Sequence, residues 1–315
     1  MRLRRIPILM FPLLCIALGC SRTQSITTVS GGSGGLNRGV TSSSSRPTSG
    51  RASLNSSADT TSASGGEHEH IAFGNPTNAQ ENPSEKANFL IERNQYAMSL
   101  NDDLGYPNWV GWHLKAQDIG DVERGQFAPD DTLPEGFKRI TPKDYTGTGY
   151  DRGHLCPSKV RSDTTENNHA TFYMSNIFPQ APGNNQGPWK DLEDYSRDLV
   201  RNEGKELYII AGPALDRSKS SHKRVGRGKV KLTVPEDTWK VIVVLPVGDG
   251  DPLARITPET RIIAIWMPNI ESVRGKDWKQ FRTSVDEIER QTGYELLSNV
   301  PKPTQNSLES KVDTE

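Results

Sequence analysis

YDRGHLCPSKVRSDTTENNHATFYMSNIFPQAPGNNQGPWKDLEDYSRDLV, residues 150–200, holds the polar side chains on which the reading of this chain turns. Asp151-Arg152-Gly153-His154 comes first, Asn185 follows 31 residues after His154, and Glu193 follows eight residues after Asn185. Trp189, Leu192, Ser196 and Leu199 recur at helical spacing, which predicts one helix from about Asn185 through Val200. Eight residues are just over two helical turns. On such a helix Asn185 and Glu193 lie near one face and offer an amide oxygen and a carboxylate to one site. That donor set suits hydrated magnesium, which keeps most of its waters and is often held by only one or two protein oxygens.

His154 is the candidate general base, because imidazole is the side chain whose ordinary pKa suits deprotonating a water near neutral pH. Gly153 lets the backbone pass close to a metal or phosphate, and the planar guanidinium of Arg152 matches phosphate geometry. An isolated histidine is more often packed or solvated than catalytic. The other five of the six are read that way, with His68 and His70 solvated in Glu-His-Glu-His. Cys156, two residues after His154, is read as packing. A thiol-hydrolase pair with His154 is the competing reading, and it lacks an orienting third group.

Strands rich in β-branched residues are expected at Leu207 to Ala211, Trp239 to Leu245 and Arg261 to Met267. A further helix is expected near Ser284, where Ser284-Val285-Asp286-Glu287 resembles a capping box, Val285 and Ile288 give an apolar face and Gly293 a stop. Strands and helices in irregular order indicate an α+β fold.

Outside this region the chain changes character. Arg2, Arg4 and Arg5 precede an apolar run from Ile6 to Gly19, shorter than the roughly 20 residues of a membrane-spanning helix, so residues 1–20 read as an export signal. Ala17-Leu18-Gly19-Cys20 resembles a bacterial lipobox, which makes Cys20 a candidate lipid anchor to a membrane; the alternative is ordinary signal cleavage nearby. From Ser21 to Gly66, Ser, Thr and Gly supply 29 of 46 residues and aromatics none, a composition expected to form a disordered tether. Residues 67–303 are left as one domain and 304–315 as a polar tail. Cys156 is then the only cysteine in the folded part, so no internal disulfide is expected.

Net charge is -1, which gives no global attraction to a polyanion. Local patches must serve instead. Residues 217–231, RSKSSHKRVGRGKVK, carry seven Lys or Arg and no acid, in a pattern that fits either an exposed phosphate-binding loop or a solvated charge run.

The stretch 150–200, together with HIAFGNPTNA and PNWVGWHL before it and KELYIIAGP, TWKVIVVL and TGYELLSNV after it, resembles the DNA/RNA non-specific endonuclease family. The resemblance runs from about His70 to the C-terminus. It implies a central antiparallel sheet flanked by helices with a ββα-metal active-site core, and DNA and RNA as substrates hydrolysed to 5′-phosphate products by a one-metal mechanism. It places His154 as general base, Asn185 as the direct Mg²⁺ ligand, with Mn²⁺ able to substitute, and Glu193 as the carboxylate holding metal-bound waters. Arg152, and Arg124 in VERGQFAPDD, take the places of phosphate-stabilising arginines. Asp151 is read as orienting the motif through hydrogen bonds. A tethered nucleic-acid-binding protein without turnover is the non-enzymatic alternative, opposed by the intact His154, Asn185 and Glu193. A protein inhibitor as partner is left open by the sequence.

Overall fold

The computed structural model describes residues 68–226 and 230–315. The expected export signal, Cys20, the tether, and Arg227, Gly228 and Lys229 of the basic run lie outside the described residues.

Seven strands form the main sheet: β1 (Phe89–Glu92), β2 (Ala97–Asn101), β3 (Tyr106–Leu114), β6 (Lys205–Ala214), β9 (Asp237–Pro246), β10 (Arg261–Pro268) and β11 (Arg282–Thr283). They stand in the order β1-β2-β3-β6-β9-β10-β11, every neighbouring pair antiparallel. The fold is therefore α+β around an antiparallel sheet, as expected. The three strands expected from β-branched runs are β6, β9 and β10, longer than expected by five, three and one residues. Two minor pairs complete the strands, β4 (Asp151–His154) with β5 (Ile177–Gln180), and β7 (Arg224–Val225) with β8 (Leu232–Thr233).

Both faces of the sheet are covered, and the period of two along each strand decides which side chain serves which face. On one face Trp112, Leu207, Ile209, Ile242, Ile263 and Ile265 pack against Trp189 and Leu192 of α3 (Pro188–Asn202) and Phe178 of β5. On the other, Trp109, Tyr208, Trp239, Val241, Val243 and Ala264 pack against α4 (Val285–Thr292) and α5 (Lys302–Glu309). Each fully buried aliphatic side chain contributes about 1.5–3 kcal/mol relative to exposure.

The expected helix near Ser284 is α4. Ser284 Oγ accepts from Glu287 N, Val285 and Ile288 are buried, and Gly293 takes the left-handed conformation at φ 75° that ends it. Only half of the capping box forms, because the Glu287 carboxylate is drawn to Arg290 and Gln291. Residues 304–315 do not hang free. Gln305 and Leu308 are buried, and Asp313 accepts from Arg261 Nε at 2.8 Å.

The link from β3 to β6, residues 115–204, leaves the sheet altogether. It carries β4, α1 (Thr165–Ala170), β5, α2 (Pro182–Asn185) and α3, and so holds every site residue named from the sequence.

Candidate active site

β4 and β5 pair in the register Asp151↔Gln180, Arg152↔Pro179, Gly153↔Phe178 and His154↔Ile177, and α2 and α3 follow directly. This is a ββα arrangement. Gly153 is required by the hairpin itself, since a Cβ there would collide with the Gln180 side chain.

The predicted single helix from Asn185 to Val200 is two helices. Asn185 ends α2, and α3 begins at Pro188. Proline lacks the N–H an uninterrupted helix requires and disfavours helical backbone in the residue before it, so the chain breaks at Gly187 (φ −109°, ψ −124°). Asn185 and Glu193 therefore do not share a helix face. They meet by another route, both lining one open cleft with Arg124, Arg152, His154, Lys159, Gln186, Lys190 and Arg197.

α2 is held by the residue before Asn185. Asn184 is fully buried, accepts from Gln180 Nε2 at 2.6 Å, and donates to Thr238 Oγ1 and the Pro268 carbonyl at 3.1 and 3.0 Å. Asn185, freed from that duty, donates its Nδ2 to Asp151 Oδ2 at 2.8 Å, and Gln186 Nε2 donates to the same oxygen at 2.8 Å. A carboxylate only accepts, so it fixes which end of the Asn185 amide is NH₂ and leaves Oδ1 on the other side. Asp151 thus orients Asn185, the hydrogen-bonding role expected of it.

His154 packs between two rings, Phe172 edge-on with centroids 4.9 Å apart and Phe127 tilted at 5.2 Å. Its Nε2 is buried without a hydrogen-bond partner among the described residues. Burial, and then the nearby Arg124 guanidinium, pull its pKa down to about 3, so the ring is neutral. Arg124 lies over Phe172 at 5.1 Å from the ring centroid, and Arg152 over Phe127 at 5.3 Å. The Pro142 carbonyl accepts from Arg152 Nη2 at 2.9 Å and steadies that guanidinium.

Glu193 sits at the cleft floor, where burial raises its pKa. Beneath it is a residue the sequence reading passed over. Lys240 of β9 is fully buried, with Nζ 3.9 Å from Glu193 Oε1 and 4.0 Å from the Trp189 ring centroid. The available signal was a lone lysine in the otherwise apolar run WKVIVVL. Lys159, Lys190 and Arg197 were also missed; Lys190 and Arg197 both pair with Asp194, and neither carries a motif of its own.

Asn185 and Glu193 offer the cleft an amide and a carboxylate oxygen, hard donors that fit Mg²⁺ or Mn²⁺. Among the described residues, the grouping of three acids close enough to share an ion, Asp286, Glu289 and Glu309, belongs to α4 and α5 on the far face. Cys156 is fully buried and burial pushes its thiol up to about 12, so it stays protonated and packs, and the thiol-hydrolase reading fails.

His70 is not solvated as expected. Its Nε2 bonds the Asn94 carbonyl at 3.0 Å, its Nδ1 accepts from His113 N at 3.2 Å, and burial lowers its pKa to about 4. His68 is exposed and pairs with Glu92 at 2.9 Å. Within the basic run, Lys219 is paired with Glu236 at 3.2 Å, whereas Lys223 Nζ lies 3.1 Å from Tyr150 Oη beside the start of β4.

The sequence model of the DNA/RNA non-specific endonuclease family matches residues 73–303. A nuclease from Nostoc sp. (strain PCC 7120) is 48% identical over 245 residues, covering 78% of this chain and 86% of its own. A nuclease from Serratia marcescens is 30% identical over 248 residues, covering 77% and 85%, and human mitochondrial endonuclease G is 29% identical over 219 residues, covering 67% and 70%. In fold, the chain is similar to a structure described as the EndoG/EndoGI complex, with a TM-score of 0.61 at 22% identity, covering 75% of this chain and 93% of that one.

Proposed function

The chain belongs to the DNA/RNA non-specific endonuclease family, and from that premise we propose that it is an exported, magnesium-dependent endonuclease hydrolysing DNA and RNA with His154 as general base. The observation that carries this reading is His154, neutral and held between Phe127 and Phe172, lining the same cleft as Asn185 and Glu193.

Asn185 Oδ1 would hold a single Mg²⁺ directly and Glu193 would hold waters around it, with Mn²⁺ able to substitute. Bound there, the ion would stabilise charge growing on the phosphate and on the 3′ leaving oxygen. His154 takes the proton of the attacking water. Phe127 and Phe172 pack against both sides of the ring and hold its plane. Arg152 and Arg124 neutralise the phosphate, and their stacking on the same two phenyl rings limits the freedom each loses when substrate arrives. Attack in this sense leaves 5′-phosphate and 3′-hydroxyl ends. Cations directed at phosphates read no base edge, which fits hydrolysis without sequence preference, and contacts that ignore the 2′-hydroxyl fit the use of both DNA and RNA.

Residues 1–20 direct export, with Cys20 the point of lipid attachment to a membrane, and residues 21–66 tether the domain. The experiment is digestion of a plasmid and a structured RNA by a chain starting at Glu67. Both substrates should be cut, and the DNA fragments should be ligatable without kinase treatment. Fragments that need a kinase before ligation, or failure on one of the two substrates, refute the corresponding part of the proposal.

A further inference from the structure

β9 alternates Trp239, Val241, Val243 and Leu245 onto one face and Lys240, Ile242 and Val244 onto the other, and Lys240 is the one charge among these seven, all of them buried. A lysine ordinarily reaches out to solvent along its flexible stem. This one cannot, since its Nζ is closed in by Trp189, 4.0 Å from the ring centroid, and Trp112 at 5.9 Å. The acid beside it is Glu193, with Oε1 3.9 Å from Nζ, and the other ionisable groups bearing on it are Arg197 and the buried Cys156 thiol.

A well-packed apolar residue of the same volume is often neutral or stabilising in place of a buried ion pair, so packing alone gives no reason for a lysine here. Removing one partner and leaving the other charge buried is the damaging change. We infer that Lys240 is a positioning residue that acts through Glu193, its buried ammonium holding the carboxylate directed at the cation-binding cleft from below. The inference rests on the proposed role of Glu193. It adds a support that reaches the site from the sheet, outside the ββα segment that supplies His154, Asn185 and Glu193.

The test compares wild type, Lys240→Met, Glu193→Gln and the double variant by thermal unfolding in EDTA and by Mn²⁺ affinity from calorimetry. Lys240→Met should lower Tm by about 5–10 °C by stranding the carboxylate, and the double variant should recover most of that loss. Mn²⁺ affinity should fall about tenfold in Lys240→Met, and the double variant should bind no more weakly than Glu193→Gln alone. A lysine that only fills space predicts additive Tm losses and unchanged affinity. Either result overturns the inference, as does tighter Mn²⁺ binding in Lys240→Met. If Lys240→Met alone does not fold, the double variant must; a double variant that is equally unfolded also overturns it. Because the unfolding cycle is read without metal or substrate, it stands apart from the nuclease reading, whose own failure would appear as absent hydrolysis by wild type.

Discussion

His113 and His154 are enclosed on opposite sides of the main sheet, and their hydrogen bonding could hardly differ more. His113, on the α4 and α5 side, has Nδ1 2.7 Å from Glu69 Oε1 and Nε2 3.0 Å from Glu206 Oε2, and its ring stacks on Tyr208 at 4.0 Å with planes 9° apart. Those carboxylates are paired in turn with Lys115 at 2.8 Å and Arg255 at 2.5 Å. His154 has phenyl rings where His113 has acids, and a buried Nε2 with no partner. His113 is buried, whereas His154 is half-buried and lines the cleft. What separates a working histidine from a structural one here is its surroundings: His113 has both ring nitrogens engaged by carboxylates and nothing left for substrate, while His154 opens onto the cleft.

The largest effect expected from this contrast is that of His154→Ala, which should lower turnover at least about a hundredfold while leaving fold, Mn²⁺ binding and substrate binding in place. Steady-state kinetics with a filter-binding assay checks it. Wild-type turnover, or loss of binding in parallel with turnover, would break the comparison on the His154 side. His113→Ala should do the reverse, costing about 3 kcal/mol of stability by removing a buried ring with its stacking on Tyr208 and its bond to buried Glu206, with kcat per folded molecule within about twofold of wild type. Urea unfolding and active-fraction-corrected kinetics would show it.

Next in size, Asn185→Ala should lose activity that raised Mg²⁺ only partly restores. Glu193→Gln should lose less, because it perturbs waters around the ion and not the ion's own ligand. A Mg²⁺ titration of the three proteins decides the order, and identical metal dependence in wild type and Asn185→Ala would sharpen the contrast against this site.

The smallest effect concerns acid. His70 is held by burial at about 4 in the folded protein, so between its unfolded value near 6.5 and 4 the unfolded chain binds the proton first, and the stability of the folded state falls as the pH drops through that window. Glu309, pushed by burial to about 7, and Asp237, pushed to about 6, act oppositely, gaining protons first in the folded state. The histidine contribution is therefore read as a difference. The stability of wild type relative to His70→Gln should shrink from pH 6.5 to 4, and a difference constant with pH contradicts the assignment.

Much of this architecture is legible in the chain itself. β6, β9 and β10 follow from their β-branched runs, and α4 from Ser284 and Gly293, because each signal is local. The errors came from long-range packing or from a local signal overridden by periodicity. Gly187-Pro188 marks the break between α2 and α3, yet the apolar spacing of Trp189, Leu192, Ser196 and Leu199 extends smoothly back towards Asn185. His70 reads as solvated beside a polar tether until β3 is laid against it. Asn184 and Asn185 are chemically identical in sequence, and only the contacts of Asn184 with Gln180 and Thr238 separate anchor from site residue. Lys240 was visible as a letter, but nothing local says that Glu193 lies above it.

The central claim is that the cleft around His154 is a cation-dependent phosphodiester-hydrolysing site, and supercoiled plasmid tests it most directly. Wild type, His154→Ala and His113→Ala, matched for folded protein, are each incubated with plasmid in Mg²⁺ and in EDTA. Wild type and His113→Ala should relax and degrade the plasmid in Mg²⁺ and leave it intact in EDTA, while His154→Ala leaves it intact in both. Cleavage in EDTA, or cleavage by His154→Ala at the wild-type rate, would contradict the account.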